Sequence, residues 1–392
     1  MSQIDTNIGN QTSLLGLNSR TSRRRLSLAV LAAIFVSIAA IQADVYSQET
    51  DTSNNASQPK EVADPTKPVQ VYIMLGQSNM LGFGRVGPRE TVGSLEYLVQ
   101  EKEKYPHLVD IDGNWITRPD VRYVHVMDKR GVDYHNLDEF QTVRNEWLKP
   151  NGSFGPELGF GQVVGDFHDQ PVLLLKACIG NRSLGWDLLP QGSERFQHEG
   201  KIYAGYKDVA NFWDEGTEPK PVPWYAGRQY DADTQHAKLV LQNLADYYPG
   251  YQGQGYEIAG FVWWQGHKDQ NAALAGRYEQ NLVHLIKTLR ADFEAPDAKF
   301  VVATGCGNPG REGFGLQIAE AQLAVDGRSG KYSDFTGNVA AVDVRDWWRE
   351  PAVSPVNQGH HYNHNAETYY EVGHALGQAM TELLRESPNN KE

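Results

Sequence analysis

The chain has 392 residues, 22% of them charged, and a net charge of −13. Four Arg against one Asp put the first 43 residues at +3 and leave the remainder at −16, which argues against nucleic acid and anionic membranes as partners. The only two cysteines, Cys178 and Cys306, provide neither a disulfide framework nor a zinc spacing, and a single bridge and two buried thiols are both compatible with their positions.

Residues 1–25 are polar and end in Arg23-Arg24-Arg25; an apolar run of 15 residues follows at 26–40. A membrane span needs about 20 residues, so this run has the length of a signal-peptide core. Ala39, Ala40 and Ala43 offer small residues for cleavage. Residues 1–43 are therefore expected to be a signal peptide of the general secretory or twin-arginine type, with no membrane association after its removal. Residues 44–67 are polar without apolar periodicity and are expected to be a disordered linker, as is a tail at 386–392. Between them, 68–385 has the length of one large domain.

Within that domain strands and helices alternate. The apolar run 69–75 (VQVYIML) predicts a buried strand, and 95–105 a helix. The segment 121–127 (VRYVHVM) predicts an antiparallel or edge strand. Pro156 opens a predicted helix over 156–167, and 171–177 reads as a buried parallel strand. A segment at 185–230, rich in Gly, Pro, Trp and Tyr, reads as a long ordered loop near a binding surface. Helical spacing at 232–247, a strand at 256–264 and a long amphipathic helix at 277–293 follow. The pattern closes with a strand at 299–304, a helix at 316–325, a strand at 338–343 and a helix at 365–384. Such alternation predicts an α/β fold with a parallel sheet covered on both faces, a three-layer αβα sandwich with about five parallel strands.

In open α/β sheets ligands bind outside the carboxyl ends of the strands. The predicted strands end in Gly76-Gln77-Ser78-Asn79-Met80, Cys178-Ile179-Gly180-Asn181-Arg182-Ser183, Trp264-Gln265-Gly266-His267-Lys268-Asp269 and Asp343-Val344-Arg345-Asp346. Before the last helix stands His360-His361-Tyr362-Asn363-His364-Asn365. A serine on a tight turn after a buried strand, with polar groups converging on the same rim, points to nucleophilic catalysis. As ordinary structure, Ser78 would cap a helix, one of Trp263 and Trp264 would be core, and Asp343 would cap a loop.

Gly76-Gln77-Ser78-Asn79-Met80 resembles the first motif of the SGNH-hydrolase superfamily, in its sialate O-acetylesterase and acetylxylan esterase branch. Gly180 and Trp264-Gln265-Gly266 are similar to the second and third motifs, and Gly155-Pro156-Glu157 to a segment common in that branch. The resemblance runs over about 69–380 and implies a flavodoxin-like fold and a serine esterase acting on acetylated carbohydrate without metal or cofactor. It implies Ser78 as nucleophile and the N–H groups of Ser78 and Gly180 with the Gln265 amide as oxyanion donors. His361 is the expected base, with His364 as alternative. Gln77, Asn79, Asn181 and Arg182 are expected at the substrate. The family pattern places an Asp three residues before its histidine, where Gln358 stands, or a Glu after Trp-Gln-Gly, where His267 stands. Asp343 is therefore the expected orienting acid, with Asp346 and Asp269 as alternatives. Those departures also imply an alternative function, a catalytically degenerate carbohydrate-binding protein on the same fold. A lipase-like hydrolase is disfavoured, because Gly-x-Ser-x-Gly is absent at Ser78.

Overall fold

A computed structural model describes residues 63–386 except 130, 306 and 308. They fall within one compact unit, Ser57–Glu392. The expected signal peptide, the linker up to 62, the tail from 387 and Cys306 lie outside the described residues. The last linker residues are packed: Ala63 is buried, and the Asp64 N–H donates to the Asp169 carbonyl at 2.9 Å. Cys178 is a buried free thiol, its pKa pushed up by burial.

The seven strands of the central sheet are β1 (Val69–Gly76), β2 (Arg118–Asp128), β3 (Phe140–Leu148), β4 (Val172–Ala177), β5 (Tyr256–Trp264), β6 (Lys299–Ala303) and β7 (Val339–Val342). Their order is β7-β6-β5-β1-β4-β2-β3. All neighbours pair parallel except β2 and β3, which pair antiparallel. Six parallel strands thus replace the expected five. The segment expected to be antiparallel or at an edge, β2, does pair antiparallel with β3 but lies inside the sheet, with Val124 opposite Leu175 of β4. The edge belongs to β3, which sequence patterning does not reveal. Its residues FQTVRNEWL are mostly half-buried or exposed, so it lacks the continuous apolar run that marks β1.

β1 is central and buried along its length. Val69, Val71, Ile73 and Leu75 pack on one face against α4 (Arg228–Gln242) and α5 (Ala272–Asp292). Tyr72 and Met74 pack on the other against α3 (Glu157–Phe167) and α7 (Ala366–Arg385). Each such aliphatic side chain contributes about 1.5–3 kcal/mol by burial, and burial on both faces is why β1 reads as apolar sequence broken only by Gln70. Three further helices are α1 (Ser78–Leu81), α2 (Leu95–Lys102) and α6 (Gly313–Ala324), and a single helical turn at Leu244–Tyr247 follows α4. The aromatic insertion is ordered around a small antiparallel sheet of Phe196–His198, Lys201–Tyr203 and Phe212–Asp214. Among the described residues no helix is long and apolar enough to cross a membrane.

Candidate active site

The chain leaves β1 through Gly76, where a Cβ would stand 2.2 Å from the Trp264 carbonyl oxygen. Only glycine fits this approach of β1 to β5, and the turn it permits starts α1 at Ser78. Ser78 is half-buried, and its hydroxyl has no hydrogen-bond partner among the described residues. Its flanking side chains turn inward. Gln77 Oε1 accepts from Gln265 Nε2 (3.1 Å) and from the N–H groups of Gly266 (3.4 Å) and Lys268 (3.3 Å). Asn79 Oδ1 accepts from the Tyr369 hydroxyl at 2.7 Å, and Asn79 Nδ2 donates to the His360 carbonyl at 3.2 Å. Gln77 and Asn79 were expected at the substrate; both are instead buried braces of the serine turn.

Gly155-Pro156-Glu157 holds the other end of α1. The Glu157 carboxylate accepts from the Gly155 N–H and from Lys176 Nζ (2.5 Å), and the same ammonium donates to the Leu81 carbonyl at 3.2 Å. This pair is fully buried, so the serine helix is fastened to β4 by a charge that no water screens.

Gly180, past the end of β4, lies directly beside Ser78: a Cβ on it would be 3.6 Å from Ser78 Cβ. Asn181 is exposed, with φ at +59°. Arg182 lies over the Trp224 ring at 5.4 Å, donates through Nε to Gln229 Oε1 at 2.9 Å and faces Asp187 at 3.9 Å. Its carbonyl accepts from Gln265 Nε2 at 2.9 Å. That amide also reaches Asp269 Oδ2 at 2.6 Å, while Gln265 Oε1 accepts from the Tyr278 hydroxyl at 2.8 Å. Gln265 is only 1% exposed. Its two amide hydrogens are thus committed to internal acceptors, which corrects its expected place as an oxyanion donor: it fastens the Gly180 segment to β5.

The histidine segment is irregular. Tyr362, Asn363 and His364 all have φ between +47° and +57°. Left-handed backbone at three successive non-glycine residues costs about 1–2 kcal/mol each and persists where surroundings enforce it. Here Asn363 is buried, its Oδ1 accepting from the Gln358 N–H and its Nδ2 donating to the Arg349 carbonyl, both at 2.9 Å. Asn365 caps α7 and donates to the Val353 carbonyl at 3.0 Å. The Tyr369 hydroxyl reaches the His361 carbonyl at 3.2 Å.

His361 stacks on Phe83 with ring centroids 3.8 Å apart and planes 8° from parallel. Its Nδ1 is buried with no partner among the described residues. Burial, helped by His360, His364 and His267, lowers its pKa to about 4. His364 Nε2 is bound to Gln358 Oε1 at 2.5 Å, and burial lowers its pKa as well. Sequence reasoning missed Phe83, Tyr369 and Gln358 as supports. Phe83 and Tyr369 carry no motif, and only the fold shows that they face the histidines.

The three candidate acids are spent elsewhere. Asp343 is bound to Arg345 and to Thr304 Oγ1 (3.2 Å), which hold its carboxyl below the usual range. Asp346 is exposed and pairs with Arg311 at 2.7 Å. Asp269 accepts from the N–H groups of Leu184 (2.9 Å) and Gly185 (2.8 Å) and from Gln265, and burial raises its pKa to about 6. Among the described residues none of these carboxylates hydrogen bonds to a histidine, so the expected acid–histidine pair is not formed.

Residues 68–382 match the family described as carbohydrate esterase, sialic acid-specific acetylesterase. No curated protein matches the chain. Among solved structures, a protein from Arabidopsis thaliana is similar at 17% identity and a TM-score of 0.44, over 80% of this chain and 98% of its own. A carbohydrate acetylesterase from Xanthomonas citri is similar at 11% identity and a TM-score of 0.45, over 81% of this chain and 57% of its own. NanS is similar at 14% identity and a TM-score of 0.41, over 82% and 99%.

Proposed function

The chain belongs to the sialic acid-specific acetylesterase family of carbohydrate esterases, and on that premise we propose that it is a serine esterase that removes O-acetyl groups from a carbohydrate. Candidate substrates are acetylated sialic acid, xylan or another polysaccharide. Ser78 Oγ attacks the ester carbonyl while His361 takes its proton. The backbone N–H groups of Ser78 and Gly180 receive the oxyanion, each such donor being worth about 3–4 kcal/mol in the transition state. As the intermediate collapses and the ester C–O bond breaks, His361 gives that proton to the leaving sugar oxygen, which departs as a hydroxyl. Water, deprotonated by the same imidazole, releases acetate from the acyl-enzyme.

The observation that carries this reading is the approach of Gly180 to Ser78, whose hydroxyl has no partner among the described residues: a Cβ on Gly180 would stand 3.6 Å from Ser78 Cβ. Support for His361 comes from the Asn79 bond to the His360 carbonyl, which ties the residue after Ser78 to the one before His361. The Asn181 and Arg182 side chains border the same rim and are assigned to the substrate side. We also propose export, with cleavage after the apolar run 26–40; sequencing the amino terminus of secreted protein tests it.

The decisive experiment offers 4-nitrophenyl acetate and an acetylated xylo-oligosaccharide to the protein and to Ser78→Ala. Turnover of both esters should fall by about 10⁴-fold or more. Equal release by both proteins overturns Ser78 as nucleophile, and release by neither favours a protein that binds sugar without cleaving it.

A further inference from the structure

The base of this mechanism lacks a countercharge. His361 becomes an imidazolium when Ser78 Oγ bonds to the ester carbon and gives up its proton. Its Nδ1 is buried with no partner among the described residues. The titratable groups that bear on the ring are His360 and His364 of its own segment and His267 after β5, and Arg85 acts on the neighbouring His364. All four are basic, so none of them favours a positive charge there. Asp343, Asp346 and Asp269 are bound elsewhere.

What the imidazole does have is Phe83. The two ring centroids are 3.8 Å apart and the planes 8° from parallel. Carbon atoms in ordinary contact already stand about 3.5–4 Å apart, so the imidazole lies over the phenyl face with little offset. Two neutral rings prefer an offset or edge-on arrangement to this one. An imidazolium favours it, because the negative face of the phenyl quadrupole then meets a positive charge. His364 differs: it meets the same phenyl tilted by 39°, at 5.2 Å.

The backbone fixes Phe83 in this place. It stands between two glycines held by close contacts. A Cβ on Gly82, where φ is +102°, would be 2.1 Å from the Gly155 nitrogen, and one on Gly84 would be 2.9 Å from Tyr369 Cβ. Gly84 and Arg85 also pair with Phe154 and Ser153.

We propose that Phe83 is the positioning residue of the base: its face stands in for the missing acid, holding the plane of the imidazole and stabilising the imidazolium as it forms. This rests on the esterase reading with His361 as base. The contact is weak while the imidazole is neutral, which burial ensures in the resting enzyme, and strengthens as the proton arrives. An interaction that is stronger in the transition state than before it raises the rate rather than the affinity alone.

Phenylalanines carrying one, two and three ring fluorines, placed at position 83, test this, because they keep the shape of the ring and drain its negative face. Through that series kcat/KM for 4-nitrophenyl acetate should fall in steps, to about tenfold in total, the scale of a cation–π contact removed from water. Phe83→Leu, which keeps bulk without a π-face, should lose about as much, whereas Phe83→Tyr should stay within about twofold. Equal rates across the fluorinated series, or an unchanged rate in Phe83→Leu, overturn the proposal. Titration of the His361 ring by NMR gives a readout that needs no turnover. Its pKa should fall with each fluorine, since the charged form loses its partner. That fall supports the contact even if Ser78 proves inert and the esterase reading fails. A pKa indifferent to fluorine overturns it.

Discussion

The serine turn and the histidine segment meet at one rim of the sheet through the Asn79–His360 bond, yet they are made in opposite ways. The serine turn follows directly from a central strand. Glycine supplies the unusual backbone positions, Gly76 before the turn and Gly82 after it, and Gln77, Asn79 and the buried Glu157–Lys176 pair fasten its two ends. The histidine segment follows a run of short 3₁₀ turns and contains three successive left-handed residues, none of them glycine. One half of the site is positioned by low-energy geometry. The other is positioned by side chains that hold a costly backbone in place, Asn363 and Asn365 above all.

The largest effect that separates the halves is expected within the histidine segment. His361→Ala should lower kcat/KM for an aryl acetate by about 10³-fold, the range of a lost general base. His364→Ala, which removes only a ring bound to Gln358, should cost less than tenfold. Steady-state kinetics of the two variants checks this, and the reverse order would make His364 the base.

Stability should separate them next. Gly76→Ala forces a methyl to within 2.2 Å of the Trp264 carbonyl and should cost about 3 kcal/mol in denaturant unfolding. Asn363→Ala leaves the Gln358 N–H and the Arg349 carbonyl unpaired and should cost about 2 kcal/mol, with a larger loss of turnover than of stability. If Asn363→Ala left the activity intact, the left-handed backbone would have no bearing on the base.

The pH profile tests the electrostatics. A base accepts a proton only when neutral, and burial lowers the His361 pKa from 6.5 to about 4. The neutral form is therefore retained as pH falls below 6.5. The acidic limb of kcat/KM, which reports the free enzyme, should lie well below pH 6.5, toward 4. A limb at or above 6.5 would show that a carboxylate reaches the imidazole in solution.

The same contrast explains what the sequence revealed. Burial on both faces makes β1, β4 and the second half of β5 mostly apolar runs, so the parallel core and the Ser78 turn were legible from periodicity and glycine. The edge strand β3 was not, because one-sided exposure breaks its pattern. Gln77, Asn79 and Gln265 were placed at the right rim but facing the wrong way. Sequence position puts a residue at a strand end, whereas the direction of its amide depends on partners hundreds of residues away, such as Tyr369 for Asn79. Phe83 under His361 was hidden for the same reason.

The smallest predicted effect bears on the acid. Asp343 follows the last strand at the position where a partner for the histidine was expected, but its oxygens are taken by Arg345 and Thr304. Asp343→Asn keeps the shape and removes the charge that pairs with Arg345. Because that pair is partly exposed to solvent, stability should change little. If His361 works without a carboxylate, kcat/KM should stay within about threefold of the parent, whereas a lost orienting acid costs on the order of 10⁴-fold. A loss of that size would mean that substrate binding breaks the Asp343–Arg345 pair and swings the carboxylate to the buried Nδ1 of His361. The strained backbone at 362–364 would then be the element that moves, and its strain would be released in the step that completes the site.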